Sequence, residues 1–265
     1  MADIEALRFG LQRLGKVIVA FSGGADSSFL AWMAHDTLGF DNCIVVTAVS
    51  DSLADEELDA CREFTTSWEM NFIEVKTHEL LNPLYVANQS DRCYYCKTEL
   101  MDAIEPIAIS NSSKVTLGVN LDDLGEHRPG QLAAKQRGAS FPLVEAGFTK
   151  HDVRKFSQSF GLKTWDKPAS ACLASRIPYG IDVDINSLKM INRAESSLRS
   201  FGFSQLRVRH YGDLARIEVP LEDLPKAIEL RQEMVLAIKQ AGYSYVTLDL
   251  EGFRSGNLNQ ALAGN

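Results

Sequence analysis

The sequence predicts an α/β protein, a doubly wound parallel sheet followed by a smaller α+β C-terminal domain. Three observations predict it. Short apolar runs rich in β-branched residues alternate with stretches of helical period through residues 1–165, the pattern of parallel strands joined by crossover helices. The first such run, Lys16–Phe21, breaks at Ser22-Gly23-Gly24 and passes at once into a helical period. That puts a glycine turn at the carboxyl end of a strand, where open α/β sheets take their ligands. Beyond Gly180 the order changes to helix, strand, strand, helix, strand, which reads as helices laid on an antiparallel sheet.

Met1–Leu14 is predicted to be a short amphipathic helix leading into the Lys16–Phe21 strand. From Asp26 onward Phe29, Leu30, Met33, Ala34 and Leu38 recur at helical spacing. Asn42–Ser50 is a second strand. Asp55–Met70 follows as a helix, its acidic first turn suiting the positive end of a helix dipole. Asn71–Thr77 is a third strand, Cys93–Ile109 a helix with Cys93 and Cys96 in its first turn, and Lys114–Asn120 a fourth strand ending in Asn120-Leu121-Asp122-Asp123. Those aspartates have two readings, a turn with a helix cap or a place on the ligand rim. Pro129–Arg137 and Lys150–Phe160 are helices. Thr164–Gly180, proline-flanked and poor in periodicity, is read as a functional loop between domains. The last part is a helix (Asn186–Phe201), strands Leu206–His210 and Leu214–Val219, a helix (Leu224–Ala241) and a strand (Tyr245–Leu250). The small, polar tail Phe253–Asn265 is expected to be loosely held. The domains fall at 1–165 and 185–265, with 166–184 as an active-site loop between them.

A chain of 265 residues holds one large domain or two modest ones. No run approaches membrane-spanning length and no signal-peptide pattern opens it, so a cytoplasmic location and no membrane partner are expected. A net charge of -8 disfavours a generic grip on nucleic acid, and no nucleic-acid partner is expected. Five cysteines, an odd number without a secretion signal, argue for thiol or metal chemistry over a disulfide framework.

Strand, glycine turn and helix together make a phosphate site. Glycines let the backbone approach an anion, and free amides and the helix N-terminus favour its charge. Asp26 either caps the helix or helps place a magnesium ion beside the phosphates. No Gly-Lys-Ser/Thr follows, so this is not a Walker A loop. Ser22-Gly23-Gly24-Ala25-Asp26-Ser27 does resemble the S-G-G-x-D-S signature of the PP-loop ATP pyrophosphatases. That resemblance implies cleavage of ATP between its α and β phosphates and adenylation of a carboxylate, carbonyl or nucleobase. A tight turn without a ligand is the plain alternative.

Cys93-Tyr94-Tyr95-Cys96 is a C-x-x-C pair, and Cys172 lies in the proline-flanked loop. If the sheet topology brings all three to one rim, three thiolates can hold three irons of a [4Fe–4S] cluster and leave the fourth open. The pair also fits a redox dithiol or half of a zinc site, for which His127 and His151 are the candidate partners. Cys43 and Cys61 are expected to be buried as small apolar residues. Ser175-Arg176 follows Cys172 closely. Arg207 and Arg209 alternate on one strand and share a face, as do Arg216 and Glu218 on the next, with Glu195 on the preceding helix. Two arginines on one face suit a phosphate, with a solvated face of surface ion pairs as the alternative.

These segments together resemble the LarE family, ATP-dependent sulfur transferases that build the nickel-pincer nucleotide cofactor of lactate racemase. The likeness runs through S-G-G-A-D-S at Ser22–Ser27, C-Y-Y-C-K at Cys93–Lys97, H-R-P-G at His127–Gly130 and P-A-S-A-C-L-A-S-R-I-P-Y-G at Pro168–Gly180. It continues through L-R-V-R at Leu206–Arg209, A-R-I-E at Ala215–Glu218 and Y-V-T-L-D-L-E-G-F-R-S-G at Tyr245–Gly256. The resemblance implies that ATP adenylates a carboxylate of pyridinium-3,5-dicarboxylic acid mononucleotide, releasing pyrophosphate. Sulfur then displaces AMP to give a thiocarboxylate, at both ring positions in turn. It implies that Ser22, Gly23, Gly24, Asp26 and Ser27 hold the ATP phosphates, with magnesium. Lys97, Ser175, Arg176, Glu195, Arg207, Arg209 and Glu218 would line the active site, the arginines on substrate or pyrophosphate and the two glutamates near the metal. Two branches of the family differ in sulfur source. In one, the cysteine matching Cys172 gives up its own sulfur and becomes dehydroalanine; in the other, three cysteines hold a [4Fe–4S] cluster carrying an extra sulfide. Cysteines stand at all three positions here, so Cys93, Cys96 and Cys172 are expected to ligate a cluster. The resemblance also implies a homo-oligomer, a hexamer built of trimers, and other nickel-pincer cofactor biosynthesis proteins as partners.

Three rivals stand beside this reading. A PP-loop tRNA thiolase needs a large basic surface, which the charge disfavours. An ammonia-using adenylating synthetase leaves the three cysteines idle. The third is a non-catalytic module that binds adenine nucleotides.

Overall fold

The computed structural model describes residues 2–125, 129–168 and 171–254. His127, Arg128, Ala169, Ser170 and the tail from Ser255 lie outside the described residues. The chain divides into two compact units. The first comprises Met1–Ser50, Asp55–Glu79 and Cys93–Ser170, and the second Asp51–Ala54, Leu80–Arg92 and Ala171–Asn265. Asp51–Ala54 and Leu80–Arg92, which a linear division places in the first domain, therefore cluster with the second.

The first unit is built on strands β1 (Val17–Ala20), β2 (Cys43–Val49), β3 (Asn71–Lys76) and β4 (Lys114–Leu117). They lie in the order β3-β2-β1-β4, all parallel. The helices in chain order are α1 (Ile4–Leu14), α2 (Ala25–Leu38), α3 (Asp55–Ser67), α4 (Pro83–Val86, in the second unit), α5 (Arg92–Asn111), α6 (Pro129–Gln136), α7 (Pro142–Glu145) and α8 (Lys150–Ser159). Alternate residues of the central strands feed two separate cores. Val17, Val19 and Val45 pack with Leu7 of α1, Phe29 of α2 and Val153 of α8. Ile18, Ile44 and Val46 pack with Leu100, Met101 and Ile104 of α5 and Ala134 of α6. A sheet buried on both faces needs the near-continuous apolar strands that the sequence shows. With β2 on one side of β1 and β4 on the other, the strand order reverses beside β1, which makes its carboxyl end the ligand-binding switch point.

The second unit holds α9 (Ile185–Ser200), β5 (Arg207–Tyr211), β6 (Leu214–Glu218), α10 (Leu224–Glu229), α11 (Arg231–Ala241) and β7 (Tyr245–Leu248). Asp184 caps α9 by accepting from the amides of Asn186 (2.8 Å) and Ser187 (3.0 Å). β5 and β6 pair antiparallel, but β7 joins β6 in parallel, a correction to the all-antiparallel expectation. The reason is the connection: a helical crossover, not a hairpin, leads from β6 to β7. The single helix expected over Leu224–Ala241 breaks at Leu230 (φ -86, ψ 15) into α10 and α11. Both pieces reach one core, with Ala227 of α10 and Met234, Ile238 and Ala241 of α11 packed with Leu198, Val208 and Ile217. Among the described residues no helix is long and apolar enough to cross a membrane.

Phe148 is fully buried, with ring centroids 5.4 Å from Phe29 and 5.7 Å from Phe156. Phe148→Ala should cost about 3–5 kcal/mol, read as a lower midpoint in urea unfolding.

Candidate active site

The first unit shapes a glycine loop. The Phe21 amide donates to the Val46 carbonyl at 2.8 Å and the Thr47 hydroxyl to the Phe21 carbonyl at 2.9 Å, which holds the backbone extended up to the turn. Gly23 then sits at φ +69, and a Cβ there would lie 2.8 Å from Cys61 Sγ. Conformation and space both demand glycine. Ser27 closes the loop: its hydroxyl donates to the Gly24 carbonyl (3.1 Å), accepts from the Ser22 amide (3.3 Å) and lies 3.1 Å from Ser22 Oγ. Gly24 is the N-cap of α2 and no side chain caps the helix. Of the two readings of Asp26, a helix cap or a place beside the phosphates, the cap is not the one seen. Asp26 stands in the first turn, where its carboxylate accepts from Asn120 Nδ2 at 3.0 Å. A helix N-terminus without a side-chain cap offers amide donors and a positive dipole to an anion.

Three residues at this loop escaped sequence reasoning. Gly118, just past β4, runs against the start of α2; a Cβ there would lie 2.7 Å from the Ser27 amide nitrogen and 2.8 Å from Asp26 backbone. Its signal was a glycine directly after a strand. Lys167 donates to the Gly23 carbonyl (3.1 Å) and to Glu57 (2.7 Å) with both side chains mostly buried. Asn120, fully buried, accepts from the amides of Asp122 (2.9 Å) and Asp123 (3.3 Å). Asp122 and Asp123 are thus turn-formers, Asp123 accepting back from the Asn120 amide and Asp122 from that of Lys150. It is Asn120 that reaches the glycine loop.

Cys93 is exposed and Cys96 half-buried in the first turns of α5. Spaced by three, they share a helix face. The Cys96 thiol lies 3.6 Å from a carboxylate oxygen of buried Glu79. Lys97 follows, half-buried. Cys43 and Cys61 are fully buried, as expected for apolar roles. Burial pushes the Cys43 thiol up to about 12; burial also dominates at Cys61, outweighing a hydrogen bond from Thr47 and leaving that thiol at about 11. Among the described residues no three His, Cys, Asp or Glu side chains come together as a metal site, so a preassembled three-thiolate centre is not among the described features.

In the second unit Cys172, half-buried, opens a 3-10 turn, Leu173–Arg176. Arg176 is 2% exposed and holds Glu195 in two hydrogen bonds, Nε to Oε1 at 2.8 Å and Nη2 to Oε2 at 2.9 Å. Its Nη1 donates to the carbonyls of Ala171 (2.5 Å) and Cys172 (3.0 Å) and to Ser175 Oγ (3.0 Å). Glu195 also accepts from the Val208 amide (2.9 Å) and Arg199 (3.3 Å). Burial alone would raise the Glu195 carboxyl, but Arg176 and the Val208 amide outweigh it and hold the group below its ordinary range. Arg209 donates to the Ser175 carbonyl (2.9 Å) and pairs with fully buried Glu218 (2.8 Å), which also takes Arg216 (3.0 Å). The resemblance puts Arg176 and Arg209 toward substrate or pyrophosphate and Glu195 and Glu218 near a metal; here Arg176 pairs with Glu195 and Arg209 with Glu218, and both arginines also bond the Cys172 loop.

Arg207 differs. It lies 5.1 Å from the Phe253 ring centroid and donates to the Leu206 carbonyl at 2.8 Å. Burial first, then Arg176, pull its guanidinium down to about 10; Arg209 and Arg199 add to that and Glu195 offsets part of it. Such a crowd of cations favours an anion.

Two outcomes follow. Alkylation of the native chain near pH 8 should label Cys93 and spare Cys43 and Cys61, since a thiol at 11 is about one part in a thousand thiolate there; peptide mapping reads this out. Lys167→Met keeps the aliphatic stem but removes the ammonium from the glycine loop. It should weaken ATP binding about tenfold, the loss of one charge-assisted hydrogen bond, as measured by titration calorimetry.

Residues 9–99 match the NAD synthase family. The whole chain is 43% identical to an uncharacterised protein of Synechocystis sp., over 98% of both chains. It is 27% identical to an uncharacterised protein of Methanocaldococcus jannaschii, over 91% of both. To the pyridinium-3,5-bisthiocarboxylic acid mononucleotide synthase of Lactiplantibacillus plantarum it is 38% identical across 254 residues, 95% of this chain and 92% of that one. A likeness of that extent establishes that this chain belongs to the LarE family.

Proposed function

We propose that this chain is an ATP-dependent sulfurtransferase acting on pyridinium-3,5-dicarboxylic acid mononucleotide. One observation carries the reading: a glycine loop built for an anion, Gly23 at φ +69 before a helix without a side-chain cap, in a member of this family. A substrate carboxylate oxygen attacks the α-phosphorus of ATP, the bond to the β phosphate breaks, and pyrophosphate leaves. The acyl-adenylate is needed because a free carboxylate is too electron-rich to attack. A sulfur nucleophile then adds to the activated carbonyl and AMP departs, leaving a thiocarboxylate. The amides of Gly23 and Gly24, the Ser22 and Ser27 hydroxyls and the Lys167 ammonium take the charge of the leaving pyrophosphate. Asp26, fixed by Asn120, is the carboxylate suited to a magnesium ion beside the phosphates. Arg207 takes an anionic group of the substrate nucleotide, and Lys97 lines the same chemistry.

The finer reading is that Cys93, Cys96 and Cys172 ligate a [4Fe–4S] cluster. Its support is a chemically suitable donor set, two members of it on one helix face. A cluster bound there would supply an iron-held sulfide as the nucleophile. The product would pass to other nickel-pincer biosynthesis proteins on the way to lactate racemase, and the enzyme would work as a homo-hexamer.

The test is anaerobic turnover with ATP, magnesium and the dicarboxylate nucleotide, followed by intact mass, iron and sulfide assays. An unchanged chain with iron bound and thiolated product formed is the expected result. Loss of the mass of H₂S from the Cys172 peptide would replace the cluster with sacrificial transfer from that cysteine. Absence of substrate-dependent pyrophosphate release would remove the function itself.

A further inference from the structure

We infer that Asn88 and Arg92 are positioning residues for sulfur delivery, holding the loop that carries Cys172; the inference rests on the sulfur-transfer reading. The loop from Ala171 to Ile181 has one short 3-10 turn and otherwise no regular structure; the carbonyls of Cys172, Ala174 and Pro178 accept from amides three residues on, and no ladder holds the loop as a whole, so partners from outside it set its position. Asn88 supplies them for the second half. It is fully buried, and its Nδ2 lies 3.3 Å from the Ile177 carbonyl, 2.8 Å from that of Pro178 and 2.9 Å from that of Ile181. Its own carbonyl accepts from the Gly180 amide at 3.1 Å. Asn88 sits at φ +50, a conformation that asparagine tolerates better than most residues. Arg92, 4% exposed, joins the two halves: Nη1 donates both to Asn88 Oδ1 and to the Ala174 carbonyl.

Further straps come from Arg176, within the loop, and Arg209 on β5, which take the carbonyls of Ala171, Cys172 and Ser175, and from the Leu173 amide, which donates to the Ser52 carbonyl at 2.8 Å. The arginine and asparagine side chains that make these bonds are buried. The adenylation step as proposed uses the glycine loop, with Arg207 and Lys97 toward the substrate, and gives Asn88 and Arg92 no part. Displacing a nucleophile by about 1 Å costs on the order of a hundredfold in rate, so this clamp bears on the second half-reaction alone.

Asn88→Asp is the variant of choice. It keeps size and backbone tolerance but turns a donor facing three carbonyls into an acceptor that repels them. Arg92→Lys tests the same clamp with charge retained, should the first variant not fold. Each is compared with the wild type in substrate-dependent pyrophosphate release, in thiocarboxylate formation, and in the alkylation rate of Cys172. The expected result is first-turnover pyrophosphate release, measured as a burst, within about twofold of the wild-type rate, thiocarboxylate formation down about ten- to a hundredfold, and faster alkylation of Cys172. Thiocarboxylate formation that keeps pace with pyrophosphate release, whether both hold or both fall, overturns the inference, as does an unchanged alkylation rate. The alkylation arm needs no turnover. A wild type inert toward the pyridinium nucleotide would therefore sink the sulfur-transfer reading while the clamp on Cys172 was still measured.

Discussion

A parallel sheet packed on both faces leaves few places for polar chemistry. In the first unit Val17 and Val19 face one core and Ile18 and Ala20 the other, so no side chain of β1 is available to a ligand. Chemistry is pushed to the strand's carboxyl end, where the backbone must turn and enter α2. That turn carries the anion-binding groups, and most of its neighbours are shaped to let the backbone pass. Cys61 lies beneath Gly23, Gly118 lies against the start of α2, and Lys167 bonds the Gly23 carbonyl. A loop built from main-chain amides is cheap to position, because the strand before it and the helix behind it fix it already.

The second unit solves a different problem, that of holding a cysteine loop rigid without regular structure. Its means are buried charge. A carboxylate as deep as Glu195 survives ionised only because Arg176 meets both its oxygens and Val208 adds an amide. Such a pair contributes little net stability against an apolar replacement, yet removing one partner leaves a buried charge and costs about 3–5 kcal/mol. The pair is therefore a geometric device: it fixes the guanidinium plane, and Nη1 of that plane fixes the Ala171 and Cys172 carbonyls. Arg207, on the same strand as Arg209, has its guanidinium pulled down to about 10 by burial first and then by the cationic neighbour Arg176. A site of that kind gains when an anion arrives.

The sequence carried the architecture because strands and helices here follow period and punctuation. The β-branched runs at Val17–Ala20 and Cys43–Val49, the glycine turn and the shift of pattern after Gly180 were all visible as local signals. What was not visible depended on partners distant in the chain. Residue type and strand alternation placed Arg207 and Arg209 on one face, but whether an arginine meets a phosphate or a glutamate is decided by what folds over it. Here Arg176 meets Glu195 and Arg209 meets Glu218. Asn88 and Lys167 gave even less signal: each is a single polar residue in an aperiodic stretch, and each acquires its role from carbonyls 89 and 144 residues away. The parallel pairing of β7 and the break at Leu230 are of the same kind, since the crossover geometry and the shared core set them and no local propensity does.

The two half-reactions ask for opposite things of a protein, and the chain answers with different materials. Adenylation develops negative charge on a leaving pyrophosphate, and amide dipoles with one ammonium stabilise it wherever they point at it. Sulfur transfer depends on where one atom stands. A thiol as deeply buried as Cys43 or Cys61 is chemically silent, its ionisation pushed up by burial, whereas Cys93, Cys96 and Cys172 sit closer to solvent. Closer to solvent, packing no longer fixes position. Hydrogen bonds from buried arginine and asparagine to main-chain carbonyls restore the fixity that burial of the sulfur itself would have given. That is the physical case for investing three buried arginines and an asparagine in a loop that a purely structural protein would have shortened.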